Sequence, residues 1–267
     1  MGLLRHILDS ALHPFGLHLI RFPVPEVHHE NGSSIERLRD IEGCYRDLLF
    51  PEIPERANRA ELMQQLLGTS SGEAMYILAA LHRSLSCEGD VCEFGIAQGA
   101  TSALLANEIS ETDKKLWLFD SFEGLPKPTE KDKLIDDIFN LGSMEAYTGQ
   151  MAWDVSMVKN RLQSIAFPLS RVEIVPGFIE KTIHLSRLPK SVSFAYVDFD
   201  FYEPILIALN YLHHHMPSGG HIVVDDYGWF SSGAQTAVDE FTAAHAGNYD
   251  ITFPIKSAGH FVVLRKK

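Results

Sequence analysis

From residue 91 onward, five short apolar runs recur at 91–94, 116–119, 172–175, 194–197 and 221–224, each bounded by polar or glycine-containing text. Helix-compatible stretches separate them, at 101–109, in a long segment around 144–162, at 205–213 and at 234–245. Strands alternating with helices predict βαβ units. Continuous rather than alternating apolar runs predict strands covered on both faces, as in a parallel sheet. Two last runs, 249–255 and 260–264, are joined by Lys256-Ser-Ala-Gly259, a hairpin spacing. The expected fold is therefore α/β: a Rossmann-like sheet, mostly parallel with a C-terminal antiparallel strand, and helices on both faces.

Ahead of the strands, residues 35–67 carry helical patterning interrupted by Pro51 and Pro54, and Gly68-Thr-Ser-Ser-Gly72 is a turn able to cap a helix over 73–85. Residues 22–32 are rich in Pro, His and Glu and read as a linker. In the first 21 residues, Leu3, Leu4, Ile7, Leu8 and Leu12 lie near helical spacing, while His6, Asp9, His13 and Pro14 break the apolar stretch and no small-residue cleavage site follows. That pattern predicts an amphipathic helix packed on the domain or on a second subunit, with a membrane-surface anchor as the alternative. The expected division is an N-terminal helical extension and linker over 1–68 and a catalytic domain over 69–267. The stretch at about 126–160 is longer than a crossover helix requires. With Met144, Tyr147, Met151 and Trp153 it reads as a lid insertion.

Composition narrows the function classes. The chain has 267 residues, 45% hydrophobic and 22% charged, enough for a full core. Against 23 Lys+Arg stand 35 Asp+Glu, a net charge of -12, which disfavours nucleic-acid binding and broad contact with anionic membranes. No apolar run approaches the ~18 residues of a membrane span, so integral membrane association is not expected. Cys44, Cys87 and Cys92 form an odd, sparse set with no CxxC pair, read as buried thiols in a reducing cytoplasm.

Ligands of open α/β sheets bind beyond the carboxyl ends of the strands, so the residues after each run carry the chemistry. The first is followed by Gly95-Ile-Ala-Gln-Gly99, a G-x-x-x-G turn at a helix N-terminus, where backbone can approach a ligand. After the second comes Asp120, 21 residues beyond Gly99, close to the ~20-residue interval at which an acid holds a ribose in dinucleotide folds. Glycine loop and acid together point to a nucleoside-containing cofactor. The fourth run ends in Val197-Asp198-Phe-Asp200, the fifth in Val224-Asp225-Asp226-Tyr227. Three carboxylates, Asp198, Asp225 and Asp226, thus converge on two strand tips with no nearby basic residue in sequence. A hard cation would offset their repulsion, and an all-oxygen set favours Mg²⁺, Mn²⁺ or Ca²⁺ over zinc. Asp200 shares the side of Asp198 and is either a further ligand or the cap of the next helix, the cap being the expectation.

The runs Val91-Cys-Glu-Phe-Gly-Ile-Ala-Gln-Gly-Ala-Thr-Ser102, Phe119-Asp-Ser-Phe-Glu-Gly-Leu-Pro126, Val197-Asp-Phe-Asp-Phe-Tyr-Glu203 and Gly219-Gly-His-Ile-Val-Val-Asp-Asp-Tyr-Gly228 resemble those of the macrocin O-methyltransferase (TylF-type) family. Its members are metal- and S-adenosylmethionine-dependent enzymes on the class I methyltransferase fold, acting on deoxysugars of macrolide and aminocoumarin antibiotics. The resemblance covers about residues 69–265. It implies that Glu93, Gly95 and Gly99 form the cofactor loop, that Asp120 holds the ribose with Ser121 and Phe122 beside it, that Gly177 and Phe178 lie near the adenine, and that Thr69 and Ser70 close over the methionine end. It further implies that Asp198, Asp225 and Asp226 bind Mg²⁺ or Mn²⁺, and that Asp198 doubles as the base. The sequence departs from the family at Phe199, at Pro204 and in Ala97-Gln98-Gly99, and none of these removes a metal or ribose carboxylate.

The function expected is therefore methyl transfer from S-adenosylmethionine to a hydroxyl of a small-molecule or glycoside acceptor. The lysine that catechol O-methyltransferases place just past their first metal acid is replaced here by Phe201 and Tyr202. Tyr227, Trp229 and Phe230, directly after the metal acids, are candidates for an aromatic acceptor platform. His221 is expected to be structural. Two other readings stay open: a nucleotide-dependent sugar-modifying oxidoreductase, although no Tyr-x-x-x-Lys pair is found, and a non-catalytic cofactor-binding module. The N-terminal segment leaves a homodimer or higher oligomer open.

Overall fold

The structure is a computed structural model and describes residues 34–267. The chain divides into units of residues 1–32 and 33–267. The expectations for the first 33 residues lie outside the described ones, and the architecture is that of the second unit.

Seven strands form one sheet in the order β3-β2-β1-β4-β5-β7-β6. They are β1 Asp90–Phe94, β2 Leu116–Asp120, β3 Val172–Pro176, β4 Val192–Val197, β5 His221–Val224, β6 Tyr249–Thr252 and β7 Val262–Lys266. The first five run parallel, and β7 lies antiparallel between β5 and β6. The expected mostly parallel sheet with an antiparallel end is what the chain forms. The last pair is shorter than its apolar text: β6 stops at Thr252, two residues before Pro254, which has no N–H to give a ladder.

Alternation along each strand explains the unbroken apolar runs. Cys92, Phe94, Trp117, Phe119, Ala195 and Val197 enter one buried cluster, while Val91, Leu116, Leu118, Phe194 and Tyr196 enter the other. The first cluster is closed by helices α7 (Tyr202–His215) and α8 (Ser232–Ala244), through Ile205, Leu209, Leu212, Val238 and Phe241. The second is closed by α3 (Ser71–Ser84), α4 (Ala100–Glu108) and α5 (Val155–Ser164). A short helix, α6 (Ile179–Thr182), follows β3. Among the described residues no helix is long and apolar enough to cross a membrane. Cys92 is buried, Cys87 half-buried and Cys44 exposed, all as free thiols.

Residues 34–68 pack on the helices of the sheet domain. Helices α1 (Ser34–Leu48) and α2 (Arg59–Met63) pack on α3 and α4 through Phe50, Ile53, Leu62 and Met63. Arg59 is fully buried and reaches Glu108 twice, at 2.8 and 2.7 Å, and Glu42 at 2.6 Å. Burial by itself would raise the Glu108 carboxyl, but hydrogen bonds from Arg59 and His82 hold it below its ordinary value.

The insertion between β2 and α5 has its own small core. Leu125, Met144 and Tyr147 pack with Phe201 and Phe230. The long helix expected around 144–162 is a single 3₁₀ turn, Met144–Tyr147, and then α5, with Gly149 in the left-handed region and Asp154 capping α5 between them. Asp132 ties the insertion to α7. It accepts the Tyr202 N–H that opens α7 at 2.7 Å and Thr129 through both its N–H and its hydroxyl.

Candidate functional site

The sheet ladder continues one residue past the strand ends. The N–H of Gly95 donates to Phe119, that of Gly177 to Asp120, that of Asp198 to Phe94 and that of Asp225 to Val197, all between 2.7 and 2.9 Å. Five loops are thereby registered along one edge. Gly95 (φ +85) is fixed further by a close approach: a Cβ there would sit 1.8 Å from the Asp198 carbonyl oxygen. The glycine loop after β1 and the acid after β4 are thus in direct backbone contact.

Asp120 stands at the loop's centre. One carboxylate oxygen accepts the N–H groups of Ile96 (2.8 Å) and Ala97 (3.2 Å), and the other that of Phe122 (2.6 Å). Phe122 and Ala97 reach it with φ of 56° and 45°, a conformation non-glycine residues seldom adopt. Gly99 (φ 75) opens α4. Glu93 lies beneath the loop, buried, accepting the Ser102 hydroxyl; burial pushes its carboxyl up to about 8, against the pull of that hydrogen bond. Ser121 closes its own turn on Gly124 O and Glu123 N–H. Gly177 turns the chain after β3, and Phe178 precedes α6 with Lys181 over its ring. Thr69 faces the Thr101 hydroxyl at 3.4 Å, and Ser70 caps α3 by accepting Glu73 N–H while donating to Ala258 O at 2.6 Å. The sequence-predicted cofactor residues therefore line the loops after β1, β2 and β3 and the start of α3.

The acids arrange themselves differently from their order in sequence. One carboxylate oxygen each from Asp198, Asp200 and Asp226 lies within 4.8 Å of the others. Asp200 does not cap α7; that cap comes from Asp132, while Asp200, at φ 62, turns back into the cluster. Asp226 sits at φ 59 and is buried. Asp225 stays outside this group of three. It accepts the Tyr196 hydroxyl at 2.8 Å on one oxygen and the Asp226 N–H at 2.8 Å on the other. Burial pushes Asp198, Asp200 and Asp226 well above the usual carboxylate range, and the neighbouring acids push them further. Among the described residues none of the ion pairs brings a lysine or arginine to this cluster. Three crowded oxygen donors without a resident cation suit a hard divalent ion.

Two contributors are not evident in the sequence: Tyr196, fully buried on β4, and Glu73, buried in the first turn of α3 and pushed well up by burial and then by Asp225. A tyrosine inside the apolar run 194–197 was the available signal, because a buried hydroxyl needs a partner. Glu73 gives no such signal, since an acid in a first helical turn is ordinary.

The aromatic platform is partly rearranged. Trp229 is half-buried, lies over the His260 ring at 6.0 Å and 19°, and donates its Nε1–H to Asp136 at 3.0 Å. Tyr227 is half-buried against Phe253, its hydroxyl on Asp239. Phe230 does not present a face to an acceptor. It is fully buried between Tyr147 and Phe201, because the insertion needs it as the anchor of its small core. His221 begins β5 at the far edge, bonded to Ser84 at 2.8 Å, as a structural residue would be.

Residues 78–265 match the family model described as Macrocin-O-methyltransferase (TylF). Among curated relatives, the 8-demethyl-8-(2,3-dimethoxy-alpha-L-rhamnosyl)-tetracenomycin-C 4'-O-methyltransferase of Streptomyces olivaceus is 25% identical over 170 residues, 62% of this chain and 61% of that protein. The Mycinamicin III 3''-O-methyltransferase of Micromonospora griseorubida is 25% identical over 144 residues, 52% of this chain and 55% of that protein. The chain therefore spans under two thirds of the length of these relatives. In fold it is similar to the O-methyltransferase NovP (TM-score 0.65, 18% identity, 88% of this chain and 100% of that one) and to CalS11, a calicheamicin methyltransferase (TM-score 0.59, 16% identity, 90% and 99%). With most of its length matched by that one family model, and its strand-tip motifs assembled on one edge of the sheet, the chain belongs to the macrocin-O-methyltransferase family.

Proposed function

We propose that the protein is an S-adenosylmethionine-dependent O-methyltransferase that methylates a hydroxyl on a sugar of a small-molecule glycoside, assisted by Mg²⁺ or Mn²⁺. The observation that carries it is the juxtaposition across Gly95: the nucleoside-type loop with Asp120 on one side, the Asp198, Asp200 and Asp226 carboxylates on the other. The names of the curated relatives, a rhamnosyl tetracenomycin 4'-O-methyltransferase among them, support a glycoside acceptor.

In this reading Asp120 accepts the ribose hydroxyls, and the loop from Gly95 to Gly99 lets its backbone come close to the cofactor. Thr69 and Ser70 close over the methionine end, with Ser121, Phe122, Gly177 and Phe178 around the nucleoside and Glu93 supporting the loop from below. Asp198, Asp200 and Asp226 hold the cation, which when bound lowers the acceptor hydroxyl's pKa and fixes its position. Asp225 lies outside this trio and contacts it through Tyr196 and the Asp226 amide. The acceptor oxygen displaces the thioether in line, so the methyl passes from sulfur to oxygen and the hydroxyl proton leaves to Asp198. Trp229 and Tyr227 supply the wall against which an acceptor ring is oriented at near-attack distance.

The test uses purified protein, labelled S-adenosylmethionine and a panel of deoxysugar glycosides, with and without chelator. Methylation that needs a divalent ion and is lost in Asp198→Asn and Asp226→Asn is the expected result. Undiminished turnover after exhaustive chelation would remove the cation from the reading. Calorimetric binding of NAD but not S-adenosylmethionine would replace it with the oxidoreductase alternative.

A further inference from the structure

Tyr196 occupies an unusual position for a core residue. Its backbone is held on both sides, by β1 through Glu93 and by β5 through Val223. Its ring belongs to the buried cluster containing Ile77, Ala258 and Phe261 and has no exposed surface. The hydroxyl emerges from that cluster among three carboxylates: Asp225 Oδ2 at 2.8 Å, Glu73 Oε1 at 3.2 Å and Asp198 Oδ2 at 3.5 Å. Buried as it is, the phenol gives its single proton to one of these acceptors. Glu73 approaches from α3 and meets the same hydroxyl as Asp225. Its own backbone N–H is anchored on the Ser70 cap.

Carboxylates packed this closely repel and would rotate apart if nothing restrained them. A lysine or arginine would hold them together but would occupy the place of a cation. A buried neutral hydroxyl holds one carboxylate in place by its proton without supplying a competing positive charge. We propose that Tyr196, backed by Glu73, is a positioning residue for the ion site: it fixes Asp225, and through the Asp226 amide that Asp225 accepts it fixes the turn after β5 beside Asp198, so that the acids of β4 and β5 meet an incoming divalent cation already in place. This rests on the cation-assisted reading above and assigns no contact with the reacting atoms to either residue.

The full chain is titrated with Mn²⁺ alone, followed by calorimetry or by the paramagnetic resonance of free Mn²⁺. S-adenosylhomocysteine affinity is measured separately. Partners behind metal ligands typically contribute about 10–100-fold to metal affinity, so Tyr196→Phe is expected to weaken Mn²⁺ binding by that amount with S-adenosylhomocysteine affinity held within about threefold. Glu73→Gln keeps an acceptor for the Tyr196 hydroxyl and should stay near the unsubstituted protein, whereas Glu73→Leu should lose about tenfold or more. Unchanged Mn²⁺ affinity in Tyr196→Phe overturns the proposal, as does parallel loss of both affinities, which marks a general packing role. Equal affinity in Glu73→Gln and Glu73→Leu overturns the part of Glu73 on its own, whatever the fate of the tyrosine variant. If the unsubstituted protein binds no Mn²⁺, the cation-assisted reading falls and takes this one with it; a variant that merely behaves like the unsubstituted protein removes only this one.

Discussion

Replacing Asp226 by Asn separates what the acid cluster costs from what it does. In the folded chain an Asp226 oxygen lies within 4.8 Å of oxygens from both Asp198 and Asp200. Two full charges at that distance repel by roughly 3 kcal/mol at an effective dielectric near 20. Proton uptake relieves part of this, since burial and the neighbouring acids push Asp226 and Asp200 well above the usual carboxylate range. What remains to be gained by an uncharged amide of the same shape is about 1–3 kcal/mol, or about 2–4 °C of Tm for each kcal/mol in a chain of this size. Asp226→Asn is therefore expected to be more stable than the unsubstituted protein in chelator. In Mg²⁺ or Mn²⁺ the order reverses at high excess: at about a thousandfold over Kd the unsubstituted protein gains about 4.1 kcal/mol, and the variant, short of one ligand, gains little. Thermal unfolding followed by circular dichroism, with chelator and across an ion titration, reads both effects. A variant no more stable than its parent in chelator, or stabilised equally by the ion, would refute the reasoning, because the acids would then be neither crowded nor ion-binding.

Arg59→Met takes the shared cation from Glu42 and leaves Glu108 with His82 and Arg56, and should destabilise the fold by about 3 kcal/mol in urea unfolding; a loss under about 1 kcal/mol would mean the network relaxes or hydrates. Burial, then the charges of Arg83 and Arg265, lower His221 to about 4, so the unfolded imidazole takes its proton below about 6.5 while the folded one resists. Stability from this group is thus present above pH 6.5 and falls by roughly 2 kcal/mol by pH 5, a slope that His221→Gln should flatten when urea midpoints are compared at the two pH values. Asp132→Ala removes the Tyr202 cap and both Thr129 hydrogen bonds, and should cost about 1–2 kcal/mol and speed limited proteolysis between residues 126 and 143; an unchanged cleavage rate would detach the insertion from α7.

The strands were legible because burial on both faces leaves an unmistakable text. Val91 and Phe94 serve opposite clusters, so no polar residue interrupts the run between them except Glu93, whose neighbourhood keeps its carboxyl largely protonated at neutral pH. Where only one face is covered the text misleads. The run read to residue 255 ends as a strand at Thr252, and Ile251, Phe253 and Ile255 are exposed. The acids were legible as a set but not in their orientation. Alternation put Asp198 and Asp200 on one side, yet which of Asp200 and Asp225 faces the cluster depends on Asp132, 70 residues before Tyr202 in the chain, and on Tyr196. Phe230 followed the acids closely enough to be read as an acceptor wall, but its environment is set by Tyr147 from the insertion. Such assignments need tertiary contacts that no local pattern encodes.

The positions of donor and acceptor chemistry are set by the sheet, and their identity by what surrounds it. The order β3-β2-β1-β4-β5 changes direction between β1 and β4, the point where an open α/β sheet leaves its crevice. The nucleoside-type loop leaves β1 and the first acid leaves β4, so their separation follows from the ~4.8 Å between adjacent strands. The missing Cβ of Gly95 lets the two backbones touch, and any side chain there would push the loop and Asp198 apart together. A drift in this geometry would thus disturb both halves of the site at once. The acceptor wall proposed above carries no such constraint: Trp229 is held by Asp136 of the insertion and stacked on His260 of the β6–β7 connection, neither of which belongs to a strand. Substitutions that retune the acceptor should therefore accumulate in 126–143 and 253–261, where they can change the wall without moving the distance over which the methyl group travels.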